Sequence, residues 1–133
     1  MKFPYKKIGP KKLKPIIPVE IMQEGNSISF HALIDSGADL NLFPGELAEL
    51  LGLNILDGLE GTIGGITTGE MQKYYSHQVH LVIGGHSYKT RVAFMPTLST
   101  RGHGLLGQVG FFDFFTVKFN YSKAEIEIKE SVK

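Results

Sequence analysis

Short stretches of the chain alternate apolar and polar residues with the period of two that is typical of a half-buried β-strand. The stretch ISFHALI, residues 28–34, places every second residue on one apolar face. An earlier apolar run, residues 16–24, is joined to it by Gly25-Asn26, which is good hairpin-turn chemistry. The pattern therefore predicts two paired strands, the second of which ends at Asp35.

The same alternation continues through the rest of the chain. Only residues 46–51, closed by Gly52, have the pattern of a short helix. After Gly107 we expect one more helical turn that leads into a strand. The sum is an all-β fold, a small closed or nearly closed β-barrel with one or two short helices. The further predicted strands cover residues 60–63, 70–75, 79–83, 88–94, 114–119 and 124–129.

Charge divides the 133-residue chain into an arm and one domain. The first 14 residues hold six lysines and no acid, so a net charge of +1 leaves about −5 for the remainder. Pro4, Pro10, Pro15 and Pro18 favour an extended chain in and just after the arm. We interpret residues 1–15 as a solvated tail, followed by a single domain over residues 16–133. A basic arm can bind nucleic acid. We do not expect that partner, because the arm has no arginine and the chain has no second basic cluster.

Composition also narrows the possible environments. The chain has no cysteine, which fits a reducing compartment, and no apolar stretch approaches the ~18 residues of a membrane span. We therefore expect a cytoplasmic protein that does not insert into a membrane. His77 and His80 could suggest a metal, but residues three apart on a strand point to opposite faces, so we expect neither a metal nor another cofactor.

Two other motifs point to different chemistry. Residues 102–107, GHGLLG, match the dinucleotide fingerprint G-x-G-x-x-G, but that fingerprint needs a strand–helix–strand unit and here lies in a β pattern. Ser36 could be a nucleophile, but no G-x-S-x-G elbow or triad signature accompanies it. Neither motif predicts a function on its own.

The stretch ALIDSGAD, residues 32–39, drives apolar residues toward a core and then stops on a carboxylate. One interpretation is a simple turn, because Asp and Ser hydrogen-bond nearby backbone and Gly is conformationally free. The other interpretation is catalytic. Two carboxylates that share one proton can hydrolyse a peptide bond without a metal, one activating water and the other polarising the carbonyl.

Three stretches in order resemble the retropepsin family of retroviral-type aspartic proteases. ALIDSGAD resembles the family's catalytic loop, and the IGGI of residues 63–66 resembles its glycine-rich flap. Leu105-Leu106-Gly107 is similar to the apolar-apolar-Gly motif that packs beneath that loop. The resemblance covers roughly residues 16–120 and implies an aspartic endopeptidase with the family's β-barrel fold.

The resemblance also implies residue roles. Asp35 would be catalytic, with Ser36 and Gly37 supporting the loop. Substrate would be bound by the residues that line its path in the family: Leu33, Ala38, Asp39, Gly64, Gly65, Ile66 and Leu105.

Because the sequence holds a single Asp-Ser-Gly, the resemblance implies a homodimer in which each chain supplies one Asp35 to a polypeptide substrate. Gln108 departs from the family, since a basic residue often stands there, and removes a charge partner for Asp39. We assign the strand over residues 124–129 to the dimer interface. The alternative is a catalytically silent β-barrel that binds peptide, or binds nucleic acid through the lysine-rich arm.

Overall fold

The computed structural model describes residues 1–64 and 70–131. Within these residues the chain is mostly β-strand, with one α-helix, α1, at Gly45–Leu50 and one 3₁₀ turn at Ile55–Asp57. The strands are β1 (Lys2–Pro4), β2 (Lys6–Gly9), β3 (Lys12–Lys14), β4 (Ile16–Gln23), β5 (Asn26–Ile34), β6 (Leu42–Pro44), β7 (Leu59–Gly64), β8 (Met71–Ile83), β9 (His86–Met95), β10 (Gly104–Leu106), β11 (Phe115–Asn120) and β12 (Glu125–Glu130).

The main sheet has the strand order β4-β5-β10-β6-β9-β8-β7. A further pairing between β4 and β8 joins its two sides, so that six of these strands form a ring. The predicted hairpin β4–β5 is present. The pairs β7–β8 and β8–β9 are also antiparallel neighbours, and the strands predicted over residues 70–75 and 79–83 are one continuous strand, β8. The predicted all-β fold is confirmed.

The core lies inside this ring. Alternate residues of the strands face inward, as the period of two predicted, and they meet the apolar side of α1. Fully burying a large apolar side chain contributes roughly 1.5–3 kcal/mol, so this cluster supplies much of the driving force for folding. Its largest fully buried side chains include Phe43, Phe94, Phe111, Ile17, Ile21, Leu51, Leu81, Ile83 and Leu106.

Helix α1 confirms the predicted helix to within one residue at each end. Leu47 and Ala48 are buried against the sheet, whereas Leu50 is exposed. The helix ends where Gly52 takes a φ of +80°, which glycine adopts without strain.

The interpretation of the arm as a solvated tail is wrong, because residues 6–14 form the hairpin β2–β3 and the first five residues join the main fold. β1 pairs with β12, and Met1, Phe3 and Tyr5 pack against the core. The cause is non-local: Phe3 lies opposite Ile126, a residue far along the chain. The proposed boundary after residue 15 stays a prediction.

Strand β12 lies in the middle of a three-stranded sheet with the order β1-β12-β11. Both of its edges are therefore paired within the chain, and β12 has no free edge to offer a second copy. Within the described chain the outer edges of this sheet belong to β1 and β11, so β12 cannot pair with a second copy edge to edge, and its assignment to the dimer interface stays a prediction.

The segment after Gly107 makes the one helical turn that was predicted and forms no longer helix. The N–H of Phe115 donates to the carbonyl of Phe111 at 3.1 Å, and the chain then enters β11 directly. Phe111 and Phe115 are both buried and anchor this turn in the core. Among the described residues, no helix is long and apolar enough to span a bilayer.

Candidate active site

Asp35 stands at the end of β5, where the strand leaves the main sheet. β10 runs parallel to β5 and pairs Leu105 with Leu33 and Leu106 with Ile34. The N–H of Asp35 then donates to the carbonyl of Leu106 at 3.0 Å. The backbone of this half-buried aspartate is thus held by a strand that lies more than seventy residues further along the chain.

The residues after Asp35 form a tight turn around its carboxylate. The N–H of Gly37 donates to Oδ1 of Asp35 at 2.9 Å, and the N–H of Ala38 donates to the Asp35 carbonyl at 3.1 Å. A Cβ on Gly37 would lie only 3.2 Å from the same Oδ1. The turn chemistry seen in the sequence is therefore real, and it orients one carboxylate oxygen while the aspartate remains partly exposed.

The segment that follows β10, residues 107–110, is hydrogen-bonded to this loop and is called the bracing segment. The N–H of Gln108 donates to the Ala38 carbonyl, and the N–H of Val109 donates to the Asp39 carbonyl, both at 2.9 Å. The side chain of Gln108 also donates through Nε2 to the carbonyl of Ser36 at 2.7 Å. Gln108 therefore ties the loop by a neutral hydrogen bond within its own chain, while the Asp39 side chain stays exposed.

Asn41 is a part of the site that sequence reasoning missed. Its side chain is fully buried, accepts at Oδ1 from the N–H of Gly107 at 3.1 Å and donates through Nδ2 to the carbonyl of Arg91 at 3.1 Å. A buried amide is stable only when such partners are present. The available signal was a single polar residue within the apolar run LNLF.

Gly107 is required by this close packing. A Cβ at this position would clash with the carbonyl of Leu40 and lie 2.7 Å from that of Ala38. Because both contacts are with backbone, they cannot be relieved by a side-chain rotation. The glycine of the Leu-Leu-Gly motif thus permits the catalytic loop and the bracing segment to touch.

Gly110 anchors the far end of the bracing segment. Its carbonyl accepts from the Tyr88 hydroxyl and from Oγ1 of Thr90, both at 2.8 Å, and its N–H donates to Oδ1 of Asp113 at 2.9 Å. Burial raises the pKa of the Tyr88 phenol strongly, and the nearby Asp113 charge adds to the effect. Tyr88 therefore stays protonated and serves as a donor.

Two predicted substrate-binding residues meet beside Asp35. Leu33 and Leu105 are paired across β5 and β10, and both are half-buried. Leu105 also packs against a second apolar cluster, built on Leu42, Ala93 and Met95. Ile63 at the end of β7 packs against the same cluster, so this cluster connects the β7–β8 hairpin to the floor of the site.

Gly64 is the last residue of β7 and pairs with Met71, the first residue of β8. It is exposed, and a Cβ there would meet only the sulfur of Met71 at 3.9 Å. Gly65 and Ile66, predicted to lie at the flap tip, fall outside the described residues.

His77 has structural partners. His77 contacts the carbonyl of Ile55 through Nε2 at 2.9 Å, and its ring packs edge-on against Phe94. Within the described ranges, no group of three or more His, Cys, Asp or Glu is placed to hold a metal. The glycine pattern of residues 102–107 includes β10 itself, so its residues build the sheet and not a helix N-terminus.

This arrangement presents one oriented, partly exposed carboxylate beside an apolar surface, and the β7–β8 hairpin packs through Ile63 on the same apolar cluster as Leu105. A carboxylate in this setting can take a proton from water or donate one to a carbonyl, depending on its protonation.

Comparisons with known proteins agree with this geometry. No curated protein matches the sequence. Among solved structures, a retropepsin-like aspartic protease from Rickettsia conorii superposes with a TM-score of 0.67 at 17% identity, covering 97% of this chain and 98% of that one. The protease of EIAV, solved with the inhibitor HBY-793, superposes with a TM-score of 0.53 at 23% identity, covering 77% of this chain and 88% of that one. These likenesses show a shared retropepsin-like fold.

The family comparison covers the catalytic loop and its brace together. The model of the aspartyl protease family matches residues 17–109, from the second residue of β4 to Val109 in the bracing segment. This match spans most of the chain and shows that the chain belongs to the aspartyl protease family.

Proposed function

We propose that this protein is a homodimeric aspartic endopeptidase whose active site pairs Asp35 of one chain with Asp35 of a second copy. The observation that carries the proposal is the Asp35 loop: an oriented carboxylate, held by β10 and Gly37, directly after the apolar residues 32–34 that end β5. An enzyme that hydrolyses peptides with aspartate side chains uses two such carboxylates, which share one proton.

One chain supplies only one of them. Asp35 is the sole aspartate in the sequence followed by a hydroxyl residue and a glycine. Asp57 ends the 3₁₀ turn, and Asp113 is bonded to the N–H of Gly110. A two-fold axis beside Asp35 would bring two identical loops together, which is the isologous arrangement most common in dimers.

The chemistry then follows from shared protonation. The ionised Asp35 removes a proton from a water molecule, whose oxygen attacks the carbonyl carbon of the scissile bond. The protonated Asp35 of the second copy donates its proton to the carbonyl oxygen. As the tetrahedral intermediate collapses, the first Asp35 gives the proton that it took from water to the departing amine, and the C–N bond breaks. The second Asp35 takes a proton from a hydroxyl of the intermediate, which leaves the pair singly protonated.

The apolar residues support a role in substrate binding. Leu33 and Leu105 form a half-buried surface beside the carboxylate, suited to apolar side chains of an extended polypeptide. Ala38, Asp39 and Gly64 would contact its backbone, with Gly65 and Ile66 closing over it. A lid of this kind excludes water from the reacting groups. A cytoplasmic location stays a prediction.

The test is cleavage of a mixed peptide library by purified protein, read by mass spectrometry. We expect discrete cleavages that are abolished in Asp35→Asn and retained in Asp57→Asn, a matched change at an aspartate outside the site. The rate should follow a bell-shaped pH profile on the acidic side and should be unaffected by a chelator.

Peptide binding by both wild type and Asp35→Asn, without cleavage by either, would overturn the proposal and favour the silent peptide-binding barrel.

A further inference from the structure

The hairpin β2–β3, residues 6–14, pairs with no other described strand. It carries five lysines and no acid. Within the described part of the chain, none of these lysines is in an ion pair with a carboxylate. The rest of the protein is net acidic, so this positive charge is local rather than general.

The strand register concentrates that charge on one face. Lys6 lies directly opposite Lys14, and Lys12 lies two residues before Lys14 on the same strand. Because side chains alternate along a strand, Lys6, Lys12 and Lys14 share one face, while Lys7 points to the other. Like charges directly opposite each other destabilise a strand pair, so this face favours an anionic ligand.

The hairpin is held to the body at both ends. The N–H of Tyr5 donates to the carbonyl of Ala124 at 3.0 Å, and the Tyr5 ring packs edge-on against Tyr121. At the other end, the carbonyl of Pro15 accepts from the N–H of Ile34 at 2.9 Å. The lysine face therefore has a defined place relative to the main sheet.

That place is beside the active site. Pro15 and Ile34 are hydrogen-bonded, Lys14 immediately precedes Pro15, and Asp35 immediately follows Ile34. Because β4 and β5 are antiparallel, Lys14 and Asp35 are neighbours across the two chain segments, next to the hydrogen-bonded Pro15 and Ile34. A ligand that passes Asp35 in an extended conformation has the lysine face within its reach.

We infer that Lys6, Lys12 and Lys14 form an exosite that binds an acidic segment of the polypeptide substrate, beside the bond that Asp35 cleaves. The identification of this segment as substrate rests on the proposed function. Lys12 and Lys14 are spaced by two residues of a strand, about 7 Å, which equals the spacing of alternate residues in an extended ligand. The matching ligand carries Glu or Asp at every second position.

A polypeptide fits this surface better than a nucleic acid does. The hairpin has no arginine that could form bidentate hydrogen bonds with a phosphate. The Tyr5 ring at its base already packs against Tyr121 and is not a free surface for base stacking. The net negative charge of the remaining chain opposes a long polyanion.

The binding test uses the Asp35→Asn protein and a labelled peptide of alternating Glu and Ser, followed by fluorescence anisotropy. The variant Lys6→Gln/Lys12→Gln/Lys14→Gln should bind about tenfold more weakly, since three exposed ion pairs are lost. Lys7→Gln, on the opposite face, and Lys89→Gln/Lys118→Gln/Lys123→Gln, elsewhere on the surface, should bind as before. Binding should weaken as salt is raised.

Several results would overturn the inference. These are equal binding of a Gln/Ser peptide, equal loss in the control triple variant, or tighter hairpin-dependent binding of a single-stranded oligonucleotide of matched charge. A changed dimer dissociation constant in the Lys6/Lys12/Lys14 variant, measured by sedimentation, would mean that the face contacts a second copy instead.

Cleavage separates this inference from the proposed function. In the wild type, adding the Glu/Ser segment to a cleaved peptide should raise kcat/KM, and the Lys6/Lys12/Lys14 variant should lose only that gain. Cleavage with no such gain overturns the exosite and leaves the protease. Hairpin-dependent binding without any cleavage overturns the protease and leaves the acidic-peptide site.

Discussion

The side-chain Oδ1 of Asn41 accepts a hydrogen bond from the backbone N–H of Gly107 at 3.1 Å, although the two residues are 66 positions apart. This bond joins the residue directly before β6 to the segment that braces the Asp35 loop. It is buried, so neither group can find water if the other is removed.

Replacing Asn41 by leucine should destabilise the protein strongly. The change leaves the Gly107 N–H and the Arg91 carbonyl unpaired, and each buried unpaired group costs about 1–3 kcal/mol. We expect the free energy of unfolding, measured in urea, to fall by about 2–4 kcal/mol. Asn54→Ala, at an exposed amide that caps the 3₁₀ turn, should cost about 1 kcal/mol or less. Equal losses in the two variants would contradict the bracing role of Asn41.

Replacing Gly107 by alanine should separate the catalytic loop from its brace. The added Cβ would lie 2.7 Å from the Ala38 carbonyl and would clash with that of Leu40. Overpacking of this kind costs about 1–3 kcal/mol, and peptidase activity should fall with it. Gly9→Ala, where the Cβ meets nothing within 4 Å, is the control and should leave stability nearly unchanged. A fully active Gly107→Ala protein would show that the loop does not depend on this contact.

Gln108→Ala should lower turnover more than stability. The lost bond from Nε2 to the Ser36 carbonyl is worth about 0.5–1.5 kcal/mol, or roughly two- to tenfold in kcat/KM if it holds the loop in its reactive geometry. Gln108→Glu should lose as much, because a carboxylate cannot donate to a carbonyl. Gln78→Ala, at an exposed glutamine of β8, should change nothing. Full activity of Gln108→Glu would exclude the donated bond as the cause.

Tyr88 should make the fold sensitive to alkaline pH. Burial raises the pKa of its phenol in the folded state above the ordinary value near 10, so its contribution is complete below about pH 10 and is lost as the pH rises above that value. The loss is at most about 1.4 kcal/mol per pH unit. Tyr88→Phe should reduce this alkaline slope in urea unfolding between pH 8 and 11.

The basal cost of that variant should be small, because Thr90 still donates to the Gly110 carbonyl. Tyr75→Phe, whose hydroxyl bonds Glu60 at the surface, is the matched control and should keep the wild-type slope. An unchanged slope in Tyr88→Phe would contradict the assignment.

Activity should depend on dimerisation. Specific activity should fall on dilution below the dimer dissociation constant, and light scattering of the active protein should give twice the 14.7 kDa chain mass. Adding excess Asp35→Asn chains under exchange conditions should suppress wild-type activity beyond simple dilution, because each mixed dimer has one intact carboxylate. Asp57→Asn chains should not suppress it. A fully active monomer would refute the paired Asp35 site.

The local pattern of the sequence was sufficient to predict the longer strands, the helix and the turn that follows Asp35. Alternation with a period of two marks one buried face, and this identified β4, β5, β8 and β9. Turn chemistry, which is also local, located the break after Asp35 and the glycine that closes α1. Each of these features depends on residues that are neighbours in the chain.

Contacts between distant residues were decided only by the tertiary structure. The first strand of the arm is ordered because β12 offers it a paired edge and the core accepts Phe3, and neither fact is encoded near the N-terminus. The same pairing removes β12 as a free edge. In the sequence Asn41 is an isolated polar residue, and its partners Gly107 and Arg91 are close to it only in the folded chain. A hydrogen bond requires proximity in space, whereas local periodicity describes only neighbours in sequence.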